Sequence, residues 1–135
     1  MNISGKKAII FGGTSGIGLS TTKILSEKGA SKIVAISRNP EKVKEVPQNV
    51  ELVKLDVLDE EGLRNFFKEQ EEFDILVNSA TGGARALGPF LNMDMEGYRN
   101  SFFKLWGYTN VVRYGTEYLK NNGAIVLVSG SPARN

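Results

Sequence analysis

Seven residues, Gly12-Gly13-Thr14-Ser15-Gly16-Ile17-Gly18, have the make-up of a phosphate cradle. They follow the apolar run Ala8-Ile9-Ile10-Phe11 and lead directly into a helical pattern. Strand, glycine turn and helix in that order gather free backbone N–H groups and a partial positive charge at one place. Glycines in the turn let the backbone come within reach of a pyrophosphate. In this reading Gly12 makes the tight turn and Gly16 permits the close approach. Gly18 lets the helix pack closely, and Ser15 offers a hydroxyl to phosphate or ribose. Ile17 lies between the last two glycines, in the first turn. The chemistry expected of such a turn is the binding of a nicotinamide dinucleotide.

The elements that must position this turn alternate along the chain. Strands are expected at 7–11, 32–37, 50–55, 73–78 and 124–129. A helix is expected over 17–28, with Ile17, Thr21, Ile24, Leu25 and Lys28 on its inner face and Gly29 as its stop. Pro40 opens a short helix, its ring suited to a first turn. Asp59 caps a helix reaching about Gln70, with Leu63, Phe66 and Phe67 inward. A glycine-rich loop spans 80–89. Asp94 then caps one long helix running over 94–120, and Asn121-Asn122-Gly123 forms a turn. Five strands alternating with helices imply an α/β fold with right-handed crossovers. The expected architecture is a Rossmann-type, doubly wound parallel sheet of order 3-2-1-4-5 in three α/β/α layers, as a single domain over 1–135.

Composition narrows the chemistry further. With no cysteine there is no disulfide, thiolate nucleophile or cysteine zinc site. With no histidine, Ser-His-Asp catalysis and most transition-metal sites are also excluded, and no metal is expected. A net charge of +2 with scattered basic residues gives no electrostatic footprint for nucleic acid. No apolar stretch approaches a membrane span or a signal-peptide core, so a cytoplasmic protein is the expectation.

The glycine turn resembles the T-G-x-x-x-G-I-G motif of the short-chain dehydrogenase/reductase family, with Phe11 in place of the threonine. Further matches follow in order. Leu55-Asp56-Val57 resembles the step after the third strand, where the resemblance implies that Asp56 holds the adenine amine and Val57 adds a backbone contact. Asn78-Ser79-Ala80-Thr81 resembles N-N-A-G, implying that Asn78 steadies the central sheet and Ala80 lies beside the adenosine ribose. Gly123 and Ile125-Val126-Leu127-Val128-Ser129 resemble the fifth-strand motif. The resemblance covers the whole chain but roughly the first half of a typical member. It implies hydride transfer between a nicotinamide cofactor and a small carbonyl or alcohol substrate. An acid at the end of the second strand binds the ribose hydroxyls of NAD and repels a 2′-phosphate. This chain has Ser37-Arg38-Asn39 there, and an arginine pairs with phosphate and stacks on adenine. NADP(H) is therefore expected over NAD(H).

The family's catalytic tyrosine is followed four residues later by lysine. Tyr98, Tyr108, Tyr114 and Tyr118 are followed at that spacing by Phe102, Val112, Tyr118 and Asn122, so the motif is absent from these residues. At the family's substrate-orienting serine stands Gly130, flanked by Ser129 and Ser131. At its water-holding asparagine stands Lys104, or Leu105 if the register differs by one, with Asn100 a turn earlier. Ser129, Ser131 and Lys104 are the weak catalytic candidates, and an ordinary exposed helix position is the favoured reading of Lys104. One explanation is a fragment of a longer reductase that alone binds nucleotide weakly or not at all and shows no turnover. The other is an atypical member, a non-catalytic NADP(H)-binding regulator or an oligomerising module. The fragment is favoured, because a sheet ending at 124–129 leaves an apolar edge and bare faces. Such a chain should be longer or pair with itself. Aromatic residues around the 94–120 helix point to a second apolar contact, either a homo-oligomer through that helix or packing beneath later chain segments. Arg85, in the glycine-rich loop, is expected to be solvated.

Overall fold

The computed structural model describes residues 1–81 and 86–130. Five parallel strands form one sheet in the order β3-β2-β1-β4-β5. They are β1 (Lys7–Phe11), β2 (Lys32–Ser37), β3 (Val50–Lys54), β4 (Phe73–Asn78) and β5 (Leu119–Leu127). The helices are α1 (Gly16–Glu27), α2 (Glu60–Gln70), α3 (Met95–Ser101) and α4 (Phe103–Gly115). Short 3-10 turns occupy Pro40–Lys42, Phe90–Asn92 and Thr116–Tyr118. This is the doubly wound topology expected from the sequence, with ligand-binding loops at the C-terminal ends of the strands.

The central strands carry unbroken apolar runs between their ends because both faces are covered. Alternation then sorts their side chains. Ile9 and Phe11 of β1 and Val34 and Ile36 of β2 face one layer, where Leu63, Phe66 and Phe67 of α2 and Val111 of α4 meet them. Ala8, Ile10, Ile33, Ile75 and Val77 face the other, with Leu25 of α1 against them. Four phenylalanines bind the first layer: Phe67 lies 5.9 Å from Phe11, 5.3 Å from Phe66 and 5.8 Å from Phe73, between ring centroids. Asp59 caps α2 by accepting from the Gly62 N–H at 2.9 Å, and Asp94 caps α3 by accepting from Gly97 at 2.8 Å. Both caps are where the sequence placed them.

Three expectations are corrected. The helix expected over 94–120 is two helices, joined at Phe102 and ending at Gly115. Gly115 abuts the α2 layer so closely that a Cβ there would lie 2.8 Å from Phe67. The expected turn at Asn121-Asn122-Gly123 lies inside β5, which begins at Leu119. Phe73 pairs with Leu119 and Ile75 with Ala124, so β5 carries three extra residues there as a bulge. Gly123 is needed in it, since a Cβ would meet the Asp74 carbonyl at 2.9 Å. Finally, the inner face of α1 is only partly as expected: Leu25 packs on the sheet, but Ile17, Ile24 and Lys28 do not point inward. Gly18 and Thr22 are buried, whereas Ile17 is 65% exposed and Ile24 49%. The packing surface is the glycine turn, which demands the smallest residues rather than the most apolar ones.

Two predictions concern this frame. Phe67 is fully buried, so Phe67→Ala should cost about 3–5 kcal/mol in urea unfolding. Asp74 is buried at the opposite end of the sheet from the glycine turn. Burial alone would raise its carboxyl pKa, but the Lys7 backbone N–H and the Lys120 and Lys6 ammoniums outweigh it and leave it below the usual value. A lowered folded pKa adds stability above the unfolded value of about 3.9 that is lost as pH falls through the folded one. Urea midpoints of the wild type should therefore drop more steeply below pH 5 than those of Asp74→Asn.

Candidate cofactor site

β1 ends at Phe11 and the chain turns at once. The Gly12 and Gly13 N–H groups both donate to the Ile36 carbonyl, at 2.8 and 3.2 Å, which ties the turn to β2. Gly12 has φ +78, a left-handed conformation that favours glycine. A Cβ on it would lie 2.6 Å from Ser79 Oγ. Gly18 is tighter still, since its Cβ would fall 1.9 Å from the Gly12 carbonyl oxygen. The first turn of α1 thus rests directly on the glycine turn.

Two further anchors were not singled out in the sequence. Gly13 packs against β2, where a Cβ would be 2.9 Å from that of Ala35. The buried Thr22 hydroxyl lies 3.0 Å from both the Gly13 and Gly18 carbonyls. The doubled glycine after the strand was the available signal for the first. From the other side, the Ser79 N–H and hydroxyl donate to the Phe11 carbonyl at 2.9 and 3.1 Å.

This scaffold leaves donors free. Ser15 is the N-cap of α1, yet its hydroxyl caps nothing. The first backbone bond of the helix is from the Leu19 N–H to the Ser15 carbonyl. The Gly16, Ile17 and Gly18 N–H groups precede it and have no intrahelical acceptor. They border a cavity of about 520 Å³, along with Gly12, Ser15, Ser79 and Thr81. Its other wall is Lys104 of α4 with Val128, Ser129 and Gly130 at the end of β5. Gly12, Ser15 and Thr81 also line a second cavity of about 130 Å³. There they meet Ser37 and Arg38 from the end of β2, Asp56 and Val57 after β3, and Ala80.

Thus the described site residues converge on two adjoining cavities, apart from Asn78, which supports them from beneath. Asn78 is fully buried, its Oδ1 accepts from the Ala80 N–H at 3.0 Å, and its Nδ2 has no partner. The Ser37 hydroxyl is likewise buried and unpartnered. Asp56 Oδ1 accepts from the Leu58 N–H at 2.9 Å. Val57 turns its side chain into the core, and its carbonyl accepts from Asn110 Nδ2 at 3.0 Å. Gly107 makes this contact possible, since a Cβ there would be 2.6 Å from Val57 Cγ2. The roles of Asn110 and Gly107 went unnoticed in the sequence; their signal was an amide and a glycine three residues apart, on one face of the helix.

The catalytic candidates separate. Lys104 is half-buried on the cavity wall, which corrects its reading as an ordinary exposed position. Neither Leu105, 62% exposed, nor Asn100 lines the cavity. Ser129 lines it, while Ser131 and Arg85 lie outside the described residues. Tyr108 donates its hydroxyl to the Val128 carbonyl. Burial raises its pKa, so it is held protonated and is no base near neutrality. Among the described residues there is no cluster of three metal-ligating side chains, and no helix is long and apolar enough to cross a membrane.

The family model described as short chain dehydrogenase matches residues 6–135. The chain belongs to the short-chain dehydrogenase family. It is 30% identical to 11-beta-hydroxysteroid dehydrogenase A of Sesamum indicum, over 96% of this chain and 41% of that protein. It is 35% identical to L-xylulose reductase of Bos taurus, over 76% of this chain and 42% of the relative. The chain therefore spans about two-fifths of the length of these relatives. Its structure resembles that of a short-chain dehydrogenase from Burkholderia cenocepacia J2315 in complex with NADP, with a TM-score of 0.83 at 29% identity. That match covers 94% of this chain and 54% of the other. The chain is thus a member of an oxidoreductase family, and the Burkholderia cenocepacia structure it resembles was solved with NADP.

The two glycines make contrasting predictions. Gly18→Ala must displace the Gly12 backbone and should cost about 2–3 kcal/mol or more in chemical unfolding. Gly16 has φ +49 with nothing within 4 Å of a Cβ, so Gly16→Ala should cost about 1–2 kcal/mol, from backbone conformation alone.

Proposed function

We propose that this chain supplies the cofactor-holding part of an oxidoreductase that transfers a hydride between NADP(H) and a carbonyl or alcohol substrate. The observation that carries the reading is the run of two adjoining cavities around the uncapped start of α1, with Arg38 at one end and Lys104 and Ser129 at the other. The buried Ser37 hydroxyl without a partner fits a ligand that brings its own acceptor. When bound, the cofactor carries the hydride at C4 of its nicotinamide ring.

The chain's own residues would divide the work. The N–H groups at the start of α1 and the Ser15 hydroxyl bind the pyrophosphate. Arg38 and Ser37 take the 2′-phosphate, with the guanidinium exposed and free of any ion pair among the described residues. Asp56 accepts from the adenine amine through the oxygen not engaged by Leu58. Val57 and Ala80 close the adenosine wall, and Asn78 holds Ala80 in place. Ser129, next to Gly130 on the cavity wall, is the hydroxyl that would orient a substrate oxygen. We place this protein in the cytoplasm, as a homo-oligomer associating through the α3–α4 region, where Phe102, Phe103, Leu105 and Trp106 are exposed.

One observation favours a second reading, a non-catalytic NADP(H)-binding regulator. Lys104 and Gly130 line the cavity at positions where the family resemblance would put asparagine and serine. Steady-state turnover by the complete gene product separates the two.

The nucleotide reading is tested by amide chemical-shift titration, which reads weak binding as well as strong. NADPH should shift the 12–18 amides and bind at least about tenfold tighter than NADH, and Arg38→Ala should erase most of that difference. Equal binding of both nucleotides by the wild type would refute the NADP preference.

A further inference from the structure

Among the described residues the larger cavity has one charged residue in its lining, Lys104. No carboxylate among the described residues shares the wall, whose other members are glycines, hydroxyl residues, Ile17 and Val128. No carboxylate lies within 4 Å of the Lys104 ammonium among the described residues. Its recorded neighbour is the Tyr108 ring, with Nζ 5.5 Å from the centroid. That ring is itself pinned, because the Tyr108 hydroxyl donates to the Val128 carbonyl. A cation held over a fixed aromatic face is positioned without being neutralised. The uncapped N-terminus of α1 adds positive potential from the opposing chain segment. Lys104 lines only this cavity, whereas Arg38 lines only the smaller one. Two separate cations thus serve two ends of one cleft.

We propose that Lys104 is a specificity-determining residue that selects substrates bearing an anionic group, carboxylate or phosphate, close to the reacting carbonyl. The inference rests on the reading of the cleft as an NADP(H) site. The glycine turn takes the cofactor's pyrophosphate, and Lys104, on the α4 side, is left to pair with the substrate's charge. A neutral substrate would leave this ammonium facing the cleft without a counter-ion. An ammonium is a point charge with three rotatable donors, so it accepts either anion geometry.

The test uses the full chain, with and without saturating NADP+, and three probes read by amide chemical-shift titration. Phenylglyoxylate is the carboxylate, its methyl ester the neutral match, and dihydroxyacetone phosphate the phosphate. In the wild type an anionic probe should bind about tenfold tighter than the ester. Lys104→Met should remove that preference, and Lys104→Arg should retain most of it. Whichever anion binds tighter identifies the source of the charge. NADPH affinity should change less than about twofold in either variant, as expected of a side chain that makes no direct phosphate contact.

Four results would overturn the proposal. They are equal binding of anion and ester, no anion binding at all, a preference that survives Lys104→Met, and a loss of NADPH affinity in Lys104→Met comparable to that in Arg38→Ala. The last would assign the ammonium to the nucleotide. Failure of the cofactor reading shows separately, as absence of any NADPH-dependent shift in the 12–18 amides of the wild type. Probe binding to the nucleotide-free chain still decides the role of Lys104 in that case.

Discussion

The contact between Gly18 and the Gly12 carbonyl sets the geometry of everything at the strand ends. It exists because neither residue has a side chain, and a Cβ on Gly18 would sit 1.9 Å from that oxygen. Close approach brings the first turn of α1 onto the turn after β1. The free N–H groups of the helix then open into the cleft instead of being spent on the protein. Two carbonyls are drawn in as acceptors. Ile36 holds the turn from β2 and Phe11 holds Ser79 from the β4 end. The result joins three strand ends around one backbone bend, and rigid placement of donors is what anion recognition requires.

The layers behind this bend serve it unequally. The α2–α4 layer is large, aromatic and tightly interlocked, with Phe67 touching three other rings. It also reaches the cleft through polar groups. Asn110 of α4 grips the Val57 carbonyl across the gap that Gly107 leaves open. The loop after β3 is therefore held by the helix that carries Lys104. The α1 layer is thin by comparison, its contact with the turn made by Gly18 and Thr22. Beyond it lies a shallow apolar groove of Ile75, Val77, Ala124, Val126 and Val128 on the β4–β5 face.

Charge is distributed by the same logic. Asp74 gathers Lys6, Lys120 and the Lys7 backbone at the N-terminal edge of the sheet, far from the cleft in register. Those lysines are matched. At the C-terminal ends of the strands, Arg38 and Lys104 have no carboxylate within ion-pair distance among the described residues. The two ends of the sheet thus differ in how their cations are matched.

The sequence by itself determined four of the strands and the two aspartate caps, because those depend on local pattern, and the strand order followed from the rules for alternating strands and helices. Four apolar runs, at 7–11, 32–37, 50–55 and 73–78, read as strands on β-propensity alone, and Asp59 and Asp94 each precede a helix by the one residue capping needs. Gly12, Gly16 and Gly18 were legible for the same reason, since only glycine suits the turn. What lay beyond local pattern was decided by packing between distant segments. The one long helix expected after Asp94 is two, and the second ends at Gly115, where only a glycine fits against Phe67 of α2. β5 starts five residues early because its bulge wraps the Asp74 backbone. Lys104 is half-buried on the cleft wall, where Gly107 and Asn110, one turn and nearly two turns on, hold that helix against Val57. Helical periodicity gives spacing along a face, and only tertiary contacts decide which way that face points.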